Sequence, residues 1–100
     1  MKSEKQIQTE IIKFLEGHGW NVKNTHGNTF QQGFPDLYAL HEKHGQRWVE
    51  VKKPTGYRFT AAQLEYFPIL NKVVGVWVLV AGNQQEYNKL FMPPNWYKYL

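Results

Sequence analysis

Two acidic residues and a lysine near the middle of the chain have the types and spacing that phosphate chemistry requires. Glu50 and Lys52 are two positions apart in a predicted strand, so both side chains leave one face of the sheet. Val49 and Val51 leave the other face. Asp36 begins the preceding predicted strand, and antiparallel pairing across the intervening turn would bring its carboxylate close to that of Glu50. Two carboxylates that close repel each other unless a positive charge lies between them.

A hard divalent cation is the natural occupant of such a site. Mg²⁺ binds oxygen ligands and completes its shell with water and substrate phosphate. Lys52 beside it would orient a water molecule or stabilise charge that develops on a phosphate. The alternative is that Asp36 caps a turn and that Glu50 and Lys52 form an exposed ion pair on a solvated strand face. The spacing alone leaves both interpretations open.

The first predicted helix contributes a further acid. Ser3 and Gln6 have the spacing of a capping box, which predicts that the helix begins after Ser3. Apolar residues then recur at helical spacing, at Ile7, Ile11, Phe14 and Leu15. On a helical wheel with ~100° per residue, Glu4 and Gln8 point towards that apolar stripe, where a buried polar group needs a partner. Alternatively, the helix dipole favours Glu4 at the first helical position and its carboxylate stays in water.

The elements that must position these residues follow from apolar patterning. Alternating or continuous apolar residues predict strands at residues 20–24, 36–40, 46–53 and 73–81. Helical spacing and cap signals predict helices at residues 4–17, 61–71 and, weakly, 83–91. The second helix has its own capping-box pair, Thr60 and Gln63, and contains Pro68. The order α-β-β-β-α-β-α predicts an α/β fold with a mixed central sheet flanked by helices.

Composition sets the class of protein. The chain has 100 residues, of which 42% are hydrophobic, which predicts a single folded domain over residues 1–100. It has no cysteine, so disulfide frameworks, thiolate nucleophiles and cysteine-type zinc sites are excluded. Its start has no apolar core, and its longest apolar run is too short to cross a bilayer. We therefore expect a small soluble protein of a reducing compartment, whose net charge of +4 permits nucleic-acid binding without requiring it.

Four features in sequence order resemble the PD-(D/E)XK nuclease superfamily, and most closely its VRR-NUC branch in the small stand-alone form of phage and bacteria. They are the first helix with Glu4 and Gln8, GFPD at residues 33–36, EVK at residues 50–52 and FTAAQ at residues 59–63. The resemblance covers roughly residues 3–82. It implies the restriction-endonuclease-like αβββαβ core.

The resemblance also implies roles for the central residues. Asp36 and Glu50 would bind Mg²⁺ or Mn²⁺ together with the backbone carbonyl of Val51. Lys52 would assist the attacking water. The implied reaction is metal-dependent hydrolysis of DNA phosphodiester bonds.

Supporting roles are implied for residues around this centre. Glu4 would act on the metal shell directly or through water, although the helix acid of the related Holliday-junction resolvases aligns nearer Gln8. Gln63 would lie near the site and contact phosphate, or its capping box would explain it without DNA. A rim that binds DNA could further include Lys23, His26, Lys53 and Arg58.

The substrates and partners are taken from the same relatives. We expect a homodimer acting on branched or structured DNA, such as Holliday junctions or flaps, in the cytoplasm of a bacterial or phage-infected cell. The alternatives are a catalytically weak nuclease-fold module that binds DNA, and a nuclease that acts on RNA. The end of the chain is aromatic, which indicates either intramolecular packing or a dimer interface, through Tyr87, Phe91, Trp96, Tyr97 and Tyr99.

Overall fold

Helices and strands follow one another in the predicted order in the computed structural model, which describes residues 1–25 and 32–100. The helices of these ranges are α1 (Glu4–Gly17), α2 (Ala61–Val73) and the single-turn α3 (Gln84–Tyr87). The strands are β1 (Asn21–Asn24), β2 (Leu37–His41), β3 (Gly45–Val51) and β4 (Val76–Leu79). In the same described residues, two 3₁₀ turns follow α3, at Asn88–Phe91 and Trp96–Tyr99. No helix in residues 1–25 or 32–100 is long and apolar enough to span a bilayer.

Across the described residues, the four strands form one mixed sheet in the order β1-β2-β3-β4. β1 pairs with β2 and β2 with β3 in antiparallel fashion, whereas β3 and β4 are parallel. The register sets Leu37 opposite Val49 and Glu50 opposite Val78. The predicted α/β class, mixed sheet and central hairpin are thus confirmed.

Both predicted capping boxes are present. The Ser3 hydroxyl accepts a hydrogen bond from the Gln6 amide at 3.1 Å, and the Ser3 amide donates to Gln6 Oε1 at 2.8 Å. Thr60 and Gln63 make the same reciprocal pair, at 3.1 and 3.0 Å. Pro68 lies inside α2 without ending it. The side chains of Ser3 and Thr60 therefore determine where the two long helices begin.

The two sides of the sheet differ in what they bury. The side that packs on α1, here called the α1 face, is a continuous apolar core of Ile7, Ile11, Leu15, Leu37, Ala39, Val49, Val51, Trp77 and Leu79, among others. The opposite side, the α2 face, has a smaller apolar cluster in which Phe67 of α2 packs with Val76, Val78 and Trp96. Because side chains alternate along β3, Trp48 and Glu50 belong to the α2 face.

Several predicted boundaries are wrong by a few residues. The apolar run at 73–81 does not form one strand: Val73 ends α2, Gly75 turns the chain with a φ of +82°, and the strand begins at Val76. The third strand ends at Val51 instead of residue 53. The weak helix at 83–91 is divided between α3 and a 3₁₀ turn.

The aromatic end of the chain packs largely on the molecule itself. Tyr87 and Trp96 are buried, and the Trp20 indole donates to the Tyr87 hydroxyl at 3.0 Å. Phe91 and Tyr97 remain exposed. Intramolecular packing is therefore confirmed for Tyr87 and Trp96, while the dimer interface stays a prediction.

The outer edge of β4 is bonded to side chains. N–H groups along it donate to side-chain oxygens, from Val76 to Asn71 (2.9 Å) and from Val78 to Asn95 (2.7 Å), and directly after the strand the Val80 N–H donates to Glu86 (2.9 Å). The Asn95 amide group also donates to the carbonyl oxygen of Val78 at 3.2 Å. Asn95 thus pairs with both backbone groups of Val78, as a neighbouring strand would.

Candidate active site

The structure brings Asp36 and Glu50 together at adjacent ends of β2 and β3. The Asp36 backbone N–H donates to Glu50 Oε1 at 3.1 Å, and the Val51 N–H donates to Asp36 Oδ2 at 2.8 Å. The hairpin register produces this contact, because pairing of Leu37 with Val49 sets the preceding Asp36 beside Glu50. The two carboxylates predicted to converge are thus close, and both are buried.

Lys52 completes the central group. Its Nζ lies 2.8 Å from Glu50 Oε2 and donates to the Arg58 carbonyl oxygen at 2.7 Å. The same ammonium lies 4.7 Å from the centre of the Phe59 ring, a cation–π distance. Relative exposure is 5% for Asp36, 1% for Glu50 and 4% for Lys52. The alternative of an exposed ion pair on a solvated strand face is therefore wrong.

Gln63 connects the group to α2. Its Oε1 accepts from the Thr60 amide at 3.0 Å and from Lys52 Nζ at 3.3 Å, while its Nε2 donates to Glu50 Oε2 at 2.9 Å. The capping box and the position near the acids, set out as alternatives from the sequence, are both present. Capping holds the amide where it can donate to Glu50. Asp36, Glu50, Lys52 and Gln63 are hereafter called the acid–lysine cluster.

The chain that leads into Asp36 runs close against α2. Gly33 has a φ of +87°, and a Cβ added there would lie 2.8 Å from the Ala62 carbonyl oxygen. Only glycine meets both conditions without strain. On the other side, the Thr25 N–H donates to the Asp36 carbonyl oxygen at 2.9 Å. Gly33 and Thr25 therefore hold the segment that presents Asp36.

The charges of the cluster do not balance. Burial, together with the negative charge of Asp36, raises the pKa of Glu50 to about 8 against the opposing effect of Lys52. Two carboxylates share one ammonium in a buried setting, so the cluster favours an additional positive charge. Its oxygen donors suit Mg²⁺ or Mn²⁺, which bind through one or two carboxylates plus water and phosphate. Within residues 1–25 and 32–100, no group of three or more His, Asp or Glu side chains is arranged to hold a metal.

Glu4 and Gln8 do not join the cluster. Glu4 is exposed at the first position of α1, so its predicted burial on the apolar stripe is wrong, and Gln8 is half-buried. Among the described residues, neither side chain makes a hydrogen bond or ion pair with the acid–lysine cluster. The position of Glu4 agrees with the helix-dipole alternative. A role for either residue in the metal shell stays a prediction.

The predicted basic rim is only partly placed. Lys23 and Arg58 are exposed and Lys53 is half-buried. Within the described ranges, none of these three side chains makes a hydrogen bond or ion pair with the cluster; Arg58 reaches it through its backbone carbonyl, which accepts from Lys52. His26 lies outside the described residues. DNA binding by these four residues stays a prediction.

Sequence reasoning missed some of the groups that support the cluster. The Arg58 carbonyl and the Thr25 backbone amide carry no signal in their residue types, because any residue supplies those atoms. The Phe59 ring was visible in the FTAAQ motif, but its place under the Lys52 ammonium depends on the path of the 52–60 segment.

This chain matches no protein-family model, no curated protein and no solved structure, so comparison with known proteins assigns it neither a family nor a function. The chemistry of the acid–lysine cluster is therefore the ground for a functional conclusion.

Proposed function

We propose that this chain is a divalent-metal-dependent endonuclease that hydrolyses DNA phosphodiester bonds. We further propose that its fold is the restriction-endonuclease-like αβββαβ core of the PD-(D/E)XK superfamily, in the VRR-NUC branch. The observation that carries the proposal is the convergence of Asp36, Glu50 and Lys52 in one buried cluster, with Gln63 of α2 bonded to it.

The energetics of burial support a functional role for these charges. Burying an ion pair is often no better for stability than apolar residues of similar volume, because desolvation offsets the Coulombic gain. On its other side, the same strand places Val49 and Val51 in the apolar core. Apolar side chains could therefore also fill the buried positions of β3 on the α2 face. Strongly perturbed, buried titratable groups are characteristic of sites that do chemistry.

Each residue has a defined task in this mechanism. Asp36, Glu50 and the Val51 carbonyl would hold Mg²⁺ or Mn²⁺. When bound, the cation supplies a hydroxide near neutral pH and neutralises charge on the phosphate. The three N–H groups of Lys52 face Glu50, Gln63 and the Arg58 carbonyl, and Lys52 would exchange one of these partners for the attacking water or a phosphate oxygen as negative charge develops there. Gln63 fixes the orientation of the Glu50 carboxylate through its 2.9 Å hydrogen bond.

The substrate and assembly follow from the resemblance and from the size of the chain. Branched or structured DNA is the substrate class implied by the resemblance to the VRR-NUC branch. One chain of 100 residues has room for one such site, so cutting both strands of a duplex takes two chains. Sedimentation at tens of micromolar tests the homodimer, and a monomer with full activity would contradict it.

Cleavage assays on labelled flap, fork, four-way junction and plain duplex DNA with Mg²⁺ or Mn²⁺ test the activity. Asp36→Asn and Glu50→Gln each remove one carboxylate and are expected to reduce cleavage by more than about 100-fold, the scale for losing one electrostatic catalytic group. Glu10→Gln is the matched control, because Glu10 pairs with Lys2 on the exposed side of α1. Both site variants should melt cooperatively. Undiminished cleavage by both would contradict the proposal, and an RNA of the same sequence tests the RNA alternative.

A metal-free binding module is the second candidate, and one observation favours it. Both Glu50 oxygens already accept hydrogen bonds, Oε1 from Asp36 and Oε2 from Gln63, with Lys52 2.8 Å from Oε2. Calorimetric titration with Mn²⁺ separates the candidates. The nuclease should give a saturable heat change of either sign on titration with Mn²⁺, and Glu50→Gln should weaken that binding. A flat titration of the wild-type protein would favour the binding module.

A further inference from the structure

A row of aromatic rings lies beside the acid–lysine cluster. It runs from Tyr66 through Phe34 and Trp48 to Tyr38, with ring-centre distances of 4.9, 5.5 and 4.5 Å along the row. All four side chains are half-buried. None of them belongs to the apolar clusters of the two faces. The rings therefore form a separate surface, here called the aromatic row.

The aromatic row shares its supporting elements with the cluster. Each of three rings stands next to a cluster residue on the same segment: Phe34 two before Asp36, Trp48 two before Glu50, and Tyr66 three after Gln63. Two residues of a strand span about 7 Å. A nucleotide with its phosphate at the carboxylates could thus reach the rings with its base.

The outer end of the row lies on an open part of the α2 face. Helix α2 packs over β4, where Phe67 contacts Val76 and Val78. Farther across the sheet, Leu40 of β2 is 43% exposed on the same face as Tyr38. Lys23 of β1 is exposed and lies directly opposite Tyr38 in the register. The open end therefore combines a ring with a cation.

This combination suits a single nucleic-acid strand. Bases stack on aromatic side chains irrespective of sequence, while a cation neutralises the backbone phosphate. An internal base of a duplex has neighbours on both of its faces, so it can stack on a protein ring only after it leaves the duplex stack. Apolar rings alone would suit a protein partner. Lys23 and the neighbouring acid–lysine cluster, which is proposed to act on phosphate, favour a nucleotide instead.

We infer that the aromatic row, with Lys23 at its open end, binds unpaired nucleotides of DNA next to the scissile phosphate. This inference rests on the proposed nuclease function and defines its substrate class. The substrates are DNA structures with unpaired nucleotides at the cut, such as splayed forks and flaps. A fully paired duplex leaves the row empty and binds more weakly.

Binding in the presence of EDTA tests the inference without cleavage. The probes are a fluorescein-labelled oligo(dT) and a labelled, fully paired duplex whose ends are closed by non-nucleotide linkers, followed by fluorescence anisotropy. Tyr38→Leu is expected to weaken oligo(dT) binding by about tenfold or more, on the scale of one lost stacking contact, and to leave duplex binding unchanged. Tyr38→Phe keeps the ring and should bind as the wild type does. Tyr97→Leu removes an exposed ring elsewhere and should change neither affinity.

Tryptophan fluorescence gives a second readout that does not need the Tyr38 variants to fold. Oligo(dT) should quench the emission of the wild-type protein, and Trp48→Leu should lose most of that quenching while its melting remains cooperative. Unchanged quenching in Trp48→Leu, or oligo(dT) binding by Tyr38→Leu equal to that of the wild type, would overturn the inference.

The inference and the proposed function fail separately. A chain that binds oligo(dT) through Tyr38 but cleaves no substrate with Mn²⁺ keeps the stacking surface and loses the nuclease. A chain that cleaves forks and duplexes equally, with no effect of Tyr38→Leu on either, keeps the nuclease and loses the stacking surface.

Discussion

The α1 face and the α2 face of one sheet are built for different purposes, although strand β3 serves both. On the α1 face, Val49 and Val51 enter a continuous apolar core. On the α2 face, the alternate residues Trp48 and Glu50 enter the aromatic row and the acid–lysine cluster. A single strand with period-two alternation thus carries a stabilising side and a chemical side.

The apolar core of the α1 face explains how a small chain tolerates buried charge on the α2 face. Removing apolar surface from water stabilises the fold in proportion to the area buried, and the α1 face concentrates that burial. The α2 face can then hold Asp36, Glu50 and Lys52 at less than one-tenth exposure. On this view, the contribution of the α1 face to the free energy of unfolding should not depend on pH, whereas the contribution of the α2 face should.

Loss of the buried cation on the α2 face should give the largest loss in the free energy of unfolding. Lys52→Met leaves Glu50 and Asp36 without their ammonium, and removal of one partner of a buried pair costs about 3–5 kcal/mol. We expect that loss in the free energy of unfolding near pH 8, and a smaller loss near pH 5, where Glu50 is protonated. Urea unfolding measures both. Lys53→Met, at the neighbouring position, should stay within about 0.5 kcal/mol. An equal loss at both pH values would contradict the comparison.

Truncation on the α1 face should cost almost as much but without pH dependence. Leu37 is fully buried in the apolar core, so Leu37→Ala creates a cavity that costs about 2–5 kcal/mol. The same urea experiment near pH 5 and pH 8 should give equal losses. A marked difference between the two would show that the faces are coupled.

The pH dependence of the metal-free protein should come largely from Glu50. Its pKa is about 8 in the folded chain against an ordinary value of 4.5, so the folded form keeps a proton that the unfolded form releases. The free energy of unfolding is therefore largest below about pH 4.5 and falls by a few kcal/mol as the pH rises through 8. The free energy of unfolding of Glu50→Gln should change little over this pH range and should exceed that of the wild type at pH 8. Parallel pH profiles for the two proteins would contradict this origin.

The two capping boxes provide the smallest and most closely matched test. Ser3→Ala and Thr60→Ala each remove a cap hydroxyl and should each lower the free energy of unfolding by about 1 kcal/mol. Only Thr60→Ala loosens Gln63, which donates to Glu50. We therefore expect slower cleavage in Thr60→Ala and unchanged cleavage in Ser3→Ala, measured on the same fork substrate. Equal rates would show that the capping contact of Gln63 stabilises α2 but does not affect cleavage.

Local signals predicted those parts of the fold that depend on neighbours in sequence. The caps at Ser3 and Thr60 and the hairpin of β2 and β3 follow from short spacings, and the hairpin register then brings Asp36 to Glu50. Burial of Lys52 was not predictable, because it depends on the path of the 52–60 segment and on the Arg58 carbonyl.

Other errors have equally specific causes. A helical wheel gives the direction of Glu4 but not its distance from the helix end, where the apolar stripe no longer covers it. Val73 suits a helix end as well as a strand start, and Gly75 decides between them through a φ of +82°. Periodicity alone carries no information about either outcome.

The side chains along the outer edge of β4 have a consequence for how these molecules meet one another. The unpaired N–H and C=O groups of an exposed strand edge can pair with a strand of another chain, which leads to strand addition and fibrous aggregation. The N–H groups of Val76, Val78 and Val80 are already occupied by side-chain oxygens, so a neighbouring chain would have to displace them before it could add a strand. Strand addition at the β4 edge of the sheet is thereby disfavoured.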